Sequence, residues 1–543
     1  MSSYKTIQGN IVDVVTRSIY GGKIEIKNNK IKNITRCAVD EKHFILPGFI
    51  DAHIHIESSM LIPSEFARIA VTHGTTACVS DPHELANVMG IEGVKFMINN
   101  GKKVPFRFYF GAPSCVPATG FETSGAVIDS KEIEALLKMP EIKYLAEMMN
   151  FPGVIYDDTE VMKKIALAHQ YKKVIDGHAP GLRGDAAKKY VDAGITTDHE
   201  CFSIAEAEEK IALGMKILIR EGSAAKNFEE LIPLIEKYPH QIMLCSDDKH
   251  PDDLIKGHIN LLVKNAIEKG YDIIDVLRTV SYNPVKHYNL DAGLLQAGDN
   301  ADFIIIDNFN DLNILETYID GNVVARNGVS FIEKVEQAPV NVFNCDFISE
   351  KDIALTPVTN AIKVIKAIDG QLITQAFSTQ AKVVNNNVVS DEEKDILKIV
   401  VLQRYQKSKP AIAFINGFGL KKGAMASTIA HDSHNIIAVG VDDRDIINAI
   451  NTLIAQKGGI AAVSGDEKAC LPLPFGGLMS AEDAHTVAGK YELIDRKVKQ
   501  YGSALKAPFM TLAFMALLVI PDLKLSDKGL FDGTKFAFTP LFI

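Results

Sequence analysis

The stretch LPGFIDAHIHIESSM, residues 46–60, runs apolar through Leu46, Phe49 and Ile50 in the manner of a buried strand, then sets Asp51, His53, His55 and Glu57 at alternate positions. Alternate residues of a strand share one face. Burying such groups without partners costs several kcal/mol each, so this face needs a counter-charge or a solvated strand end. A metal ion is one such partner.

Outward from this stretch, strand-like runs alternate with helix-like ones. The strand candidates are ILPGFIDAHIH, TTACVSD, FRFYFGA, IKYLAEMM, KVIDGHA, ITTDHE, KILIREG and QIMLCSDD, and amphipathic runs such as SEFARIAVTHG and TEVMKKIALAHQYK lie between them. Eight such units predict an α/β fold, a (β/α)8 TIM-like barrel over residues 46–291. An open doubly wound sheet would want a glycine-rich phosphate turn after its first strand, and neither GxGxxG nor GxxxxGK[ST] stands there. Residues 1–45 read as short alternating strands, and the same character returns after the barrel, so 1–45 and 292–335 are expected to pair into one small β domain. Residues 340–543 form a further α/β domain containing AHDSHN at 430–435.

The bulk composition narrows the function classes. A chain of 543 residues with 47% hydrophobic and 23% charged residues is ordinary globular material for more than one domain. Its net charge of -10, with Lys and Arg dispersed, argues against nucleic acid or an anionic membrane as partner. The seven cysteines form no CxxC pair, and MSSYKTIQGN lacks a signal pattern, so a reduced, cytoplasmic setting is expected. The longest apolar run, APFMTLAFMALLVI at 507–520, contains Pro508 and is short of a membrane span, so it reads as a buried helix.

Ionisable residues gather where the strands end. The first strand closes with His53 and His55; the second with Asp81, followed by His83 and Glu84; the fourth with Glu147. The fifth closes with Asp176 and His178, the sixth with Asp198, His199 and Glu200, and the eighth with Asp247 and Asp248. In a barrel these positions share the carboxyl-end face, where active sites form. His53 and His55 are spaced to grip one ion, and Glu147, His178, His199 and Asp247 would reach the same mouth. Six nitrogen and oxygen ligands exceed one closed tetrahedral site and suit two ions sharing a bridging carboxylate. Each residue also has a plainer reading. An HxH pair alone is often a hydrogen-bonded strand end, Glu147 could pair with Lys143, and Asp81 with His83 could cap the following helix. The histidines of AHDSHN (His431 and His434, with Asp432) read better as a satisfied turn than as a catalytic contribution.

PGFIDAHIH resembles the opening strand motif of the amidohydrolase superfamily. With SDPHE, AEMMNFPGV, DGHAPG, TTDHE and CSDD in order, nearly the whole chain resembles the bacterial-type adenine deaminase family, including the C-terminal domain with AHDSHN. The resemblance implies hydrolytic deamination of adenine to hypoxanthine and ammonia, a small-molecule purine as partner, and a homo-oligomer, with a dimer favoured. It makes His53 and His55 ligands of one metal, Glu147 the bridge where many relatives carry a carboxylated lysine, and His178 and His199 ligands of the second. Asp247 becomes the last ligand and proton shuttle; the need to protonate the ring makes His83 or Glu84 candidates to serve it or to order a water. It implies two divalent ions per subunit, Mn(II) or Fe(II), while the donor set also admits Zn. Arg183 and Asp185, in APGLRGD, are candidates for the purine edge, although Asp185 reads equally well as a helix cap; Glu57 and Ser58, past the first ligands, are expected to face substrate, and Asp51 to orient a ligating histidine. The rivals are another hydrolase of this fold acting on a cyclic amide or acetamido sugar, against which Glu147 and the extra domain argue, and a non-catalytic barrel, which would be expected to have lost ligands. The small zinc deaminase fold needs H-x-E with P-C-x-x-C, and neither is present.

Overall fold

The computed structural model describes residues 4–223 and 225–543. Eight parallel strands close a barrel: Phe49–Ile54, Thr75–Ser80, Arg107–Ala112, Ile142–Met148, Val174–Gly177, Thr197–Asp198, Lys216–Arg220 and Ile242–Cys245. Parallel bridges between Ile175 and Ile195 and between Ile54 and Asp247 join its two arcs. The first two strands, FIDAHI and TTACVS, are buried at every position, so the polar side chains of Asp51 and His53 lie within the barrel rather than on a solvated face.

The run read as one first strand is two. Phe44–Pro47 belongs to a flanking sheet, pairing antiparallel with Phe303–Ile306 and parallel with Tyr4–Asp13. The chain then passes into the barrel through Gly48, where a Cβ would lie 2.2 Å from Thr76 Oγ1. Only glycine allows that approach, and a linear run of apolar residues does not reveal it. The flanking sheet has eight strands drawn from both ends of the barrel, with Tyr4–Asp13, Ser18–Lys27 and Lys30–Arg36 on one side of Phe44–Pro47 and the strands of 303–330 on the other. Ile11, Ile24, Ile45, Phe303 and Tyr318 form its core, the rings of Phe303 and Tyr318 stacking at 4.4 Å.

The C-terminal part is built on a second eight-stranded sheet running from Gln375–Gln380 at one edge to Glu467–Pro472 at the other. The helix Asp443–Gln456 covers one face through Ile446, Ile450 and Leu453. The opposite face, with Ile399, Val401, Met425 and Ile437, joins a single apolar cluster that continues into the barrel through Ile54, Met60 and Leu85. The apolar run at 507–520 does start a buried helix, Pro508–Phe514, but it lasts seven residues, and the chain continues through Leu517 and Val519 over the barrel mouth. No helix among the described residues is long and apolar enough to cross a membrane.

Candidate active site

His53 and His55 leave the first strand on the same side, their Nε2 atoms 3.2 Å apart. His55 Nδ1 donates to the Asp81 carbonyl at 3.1 Å, which fixes the tautomer and leaves the Nε2 lone pair facing inward. Around that atom stand Glu147 Oε1 at 3.3 Å and Asp247 Oδ1 at 3.4 Å. The other Glu147 oxygen, Oε2, lies 2.9 Å from His178 Nδ1 and 3.1 Å from His199 Nε2, and those two nitrogens are 3.3 Å apart. Glu147 thus stands between two sets of donors and offers one oxygen to each. His53 and His55 come from the end of the first strand, and Glu147, His178, His199 and Asp247 from at or just past the ends of four others.

Imidazole nitrogens this close need a proton or a cation between them, and His53, His55, Glu147, His199 and Asp247 are all nearly excluded from water. The donor set is oxygen and nitrogen without thiolate. The residues therefore fit divalent cations: His53, His55 and Asp247 gather around one point, with Glu147 Oε1 beside His55, and Glu147 Oε2 stands with His178 and His199.

Behind the ligands, Arg220 closes the seventh strand. Its guanidinium holds Glu200 with two bonds, 2.5 Å to Oε1 and 2.8 Å to Oε2, and also donates to Asp247 Oδ2. Asp247 is thereby turned so that Oδ1 faces His53 and His55. Its backbone is left-handed at φ 55°, and its amide donates to the His53 carbonyl at 2.9 Å. Sequence reasoning missed Arg220, although a charged residue ending a barrel strand is the same signal that found the others.

The remaining wall comes from the C-terminal sheet. AHDSHN is the turn from Ala424–Ser427 to Ile436–Gly440, and it enters the barrel mouth. His431 Nδ1 lies 2.7 Å from Glu84 Oε1, and His434 Nε2 bonds Glu84 Oε2. Burial opposes the Glu84 charge, but His431, His434 and His83 together hold its carboxyl well below the usual range. His434 Nδ1 accepts the Ala430 amide at 3.3 Å, so its Nε2 carries the proton and His434 acts as a donor to Glu84. The satisfied turn expected from sequence is instead satisfied by a barrel residue. Leu372, Phe514, Leu517 and Val519 complete an apolar cover over a cavity of about 40 Å³. A roomier hollow of about 490 Å³ lies alongside and shares Met149 and Val519 with it.

Residues 44–324 match the amidohydrolase family, and residues 371–537 match the adenine deaminase C-terminal domain. The adenine deaminase of Methanosarcina mazei is 53% identical over 552 residues, covering 99% of each chain, and that of Sulfurovum sp. is 55% identical over 533 residues, covering 98% of each. The chain belongs to the adenine deaminase family of amidohydrolases. Among solved structures, N-acetyl-D-glucosamine-6-phosphate deacetylase from Mycobacterium smegmatis matches at a TM-score of 0.47 and 16% identity, covering 59% of this chain and 99% of that one. Amidohydrolase family members use divalent metals, and the converging His, Asp and Glu side chains here form groups that could hold such ions.

Several residues singled out from sequence take other places in this family member. His83 stands at the site, its Nδ1 3.0 Å from Asp81 Oδ2 and 3.4 Å from Glu147 Oε1. Burial opposes its charge, but Asp81 and Glu84 raise its pKa well above the ordinary value. Glu57 does not line the cavity; Oε1 accepts the Leu85 amide at 3.1 Å and so caps the helix His83–Met89, and burial pushes its carboxyl up to about 7. Ser58 touches the site indirectly, donating to Asp248 Oδ1 at 2.5 Å. Arg183 and Asp185 are exposed and stay outside, because the chain turns away at the start of the helix Gly184–Asp192 and Arg183 pairs with Glu209 at 2.7 Å. Asp51 orients no ligand ring. It accepts the amides of Ser246 at 3.0 Å and His53 at 3.3 Å, and His258 Nε2 lies 2.8 Å from its Oδ2, which ties the first strand to the eighth beneath the ligands. Asp176 and Asp198 are likewise held elsewhere, by Tyr288 and by Lys210.

Proposed function

We propose that this protein hydrolyses adenine to hypoxanthine and ammonia, with two divalent ions, Mn(II) or Fe(II), as its working pair. What carries the reading is a native carboxylate, Glu147, standing between two ligand sets under a C-terminal wall of the adenine deaminase kind. His53, His55, Asp247 and Glu147 would hold one ion, and Glu147, His178 and His199 the other. Ions bound there would supply Lewis acidity and bring the ionisation of water close to neutral pH.

The chain's own residues account for the proton traffic. As water adds to C6 of the purine, Asp247 takes its proton; its free direction is toward the ligands because Arg220 occupies Oδ2. His83, favoured in its charged form by Asp81 and Glu84, donates to ring N1 and makes C6 more electrophilic. Glu84, with both oxygens engaged by His431 and His434, positions His83 and keeps no free oxygen for acid catalysis. The C6–N bond then breaks, the proton on Asp247 goes to the departing amino group, ammonia leaves, and the proton left on the C6 hydroxyl returns to His83 as that oxygen becomes the carbonyl of hypoxanthine. Phe514, Leu517 and Val519 exclude bulk water meanwhile.

Purified protein loaded with Mn(II) or Fe(II) and given adenine, adenosine and dihydroorotate separately should release ammonia from adenine alone. Turnover of dihydroorotate alone would overturn the reading. With metal content unchanged, Asp247→Asn should lower the rate with adenine by at least about 100-fold, as expected for loss of a general base; a wild-type rate would remove Asp247 from this role.

A further inference from the structure

The loop that grips Glu84 carries one more ionisable group, which the catalytic roles above leave unused. Asp432 follows His431, is 3% exposed, and lines the cavity over the ligands. Its Oδ2 is buried and has no hydrogen-bond partner among the described residues. The nearby imidazole of His431 is 3.9 Å from Oδ1 and is already committed to Glu84 at 2.7 Å. His83, Glu84, Glu147 and Glu122 also face Asp432, but none of them bonds its Oδ2. A buried carboxylate oxygen without a donor is costly, and a ligand that brings an N–H removes the cost.

Adenine brings two kinds of donor. Its exocyclic amino group must lie by Asp247 and the barrel ligands, where it leaves. The other donor is the N–H of the five-membered ring, at the far end of a flat molecule. The far wall of the cavity belongs to the C-terminal part of the chain, where Leu372, Phe514 and Leu517 offer apolar contact for the ring faces and Asp432 offers an acceptor. Other carboxylates lining the cavity are engaged: Glu200 and Asp247 by Arg220, Glu84 by the two histidines, and Asp248 by Ser58.

We propose that Asp432 accepts the ring N–H of the free base, and that this contact selects nucleobases over nucleosides, in which a glycosidic bond replaces that N–H. The assignment rests on the adenine reading. Its chemistry is that of a polar site that rejects an analogue lacking the hydrogen-bonding group, because the buried partner is then left bare.

The test compares wild-type holoenzyme with Asp432→Ala and the near-isosteric Asp432→Asn, each loaded with Mn(II) and checked for metal content and unfolding midpoint. Ammonia release is measured from adenine and 9-methyladenine, and hypoxanthine binding by calorimetry. Wild type should prefer adenine over 9-methyladenine by at least about 100-fold in kcat/KM. In Asp432→Ala the adenine KM and the hypoxanthine Kd should each rise at least about tenfold, and the preference should fall below about tenfold. Asp432→Asn, which keeps an acceptor oxygen but no charge, should lie between and serves alone if the alanine variant does not fold. Wild-type preference retained in the variants, with or without a loss of kcat, would overturn the assignment and leave the adenine reading standing. Wild type that neither deaminates adenine nor binds hypoxanthine would overturn both.

Discussion

Arg220 shows how one side chain settles the working geometry of another. Its guanidinium spans Glu200 and Asp247, all three nearly excluded from solvent, so removing it leaves two buried carboxylates uncompensated. Arg220→Met should lower the unfolding free energy by about 3–5 kcal/mol, read from urea melts, and reduce ammonia release. Arg220→Lys should recover only part of either, since an ammonium cannot hold Glu200 with two parallel bonds while also reaching Asp247; full recovery would show that charge alone matters there. The candidate ligand residues themselves were legible as types at strand ends, because the alternation of a strand decides which side chains share a face. Arg183 was misplaced for the complementary reason: it follows a strand end closely in sequence, yet the local turn points it outward to Glu209.

Lys524 ties together two segments that cover the barrel mouth. It lies on the strand Leu523–Ser526, fully buried, and donates to the carbonyls of Leu372 at 2.6 Å and Phe514 at 2.9 Å. Burial lowers its pKa from 10.5 to about 7. Between these values the unfolded chain binds more protons than the folded one, so the penalty for burying the ammonium is lifted, and stability rises, as pH increases from about 7 towards 10.5. In urea melts, wild type should gain about 2 kcal/mol between pH 7 and pH 9 relative to Lys524→Met; parallel pH dependence in the two proteins would refute this. The strands of the barrel were readable because short β-rich runs alternate regularly with amphipathic helical runs and end in ionisable residues. The break at Gly48 was not, since its cause is a contact with Thr76 on the neighbouring strand.

The C-terminal unit and the barrel form one working body, sharing an apolar cluster and meeting in polar contact at Glu84. His434→Ala leaves a buried Glu84 oxygen bare, and Glu84→Gln removes the charge that His434 serves. A double-mutant cycle should therefore show a coupling of about 1–3 kcal/mol in unfolding, together with a loss of activity in each single variant at unchanged metal content. Strict additivity would mean that the domains merely touch there. From sequence alone came the barrel, the carboxyl-end placement of its ionisable residues, the six ligand candidates and the resemblance to a deaminase family, because strand periodicity and strand ends are local properties. Only the tertiary structure decided that AHDSHN closes the site, that Arg220 aims Asp247, and that Asp432 keeps an oxygen free. Glu84 and His434 are 350 residues apart, and their meeting depends on how two sheets dock, for which no local pattern carries a signal.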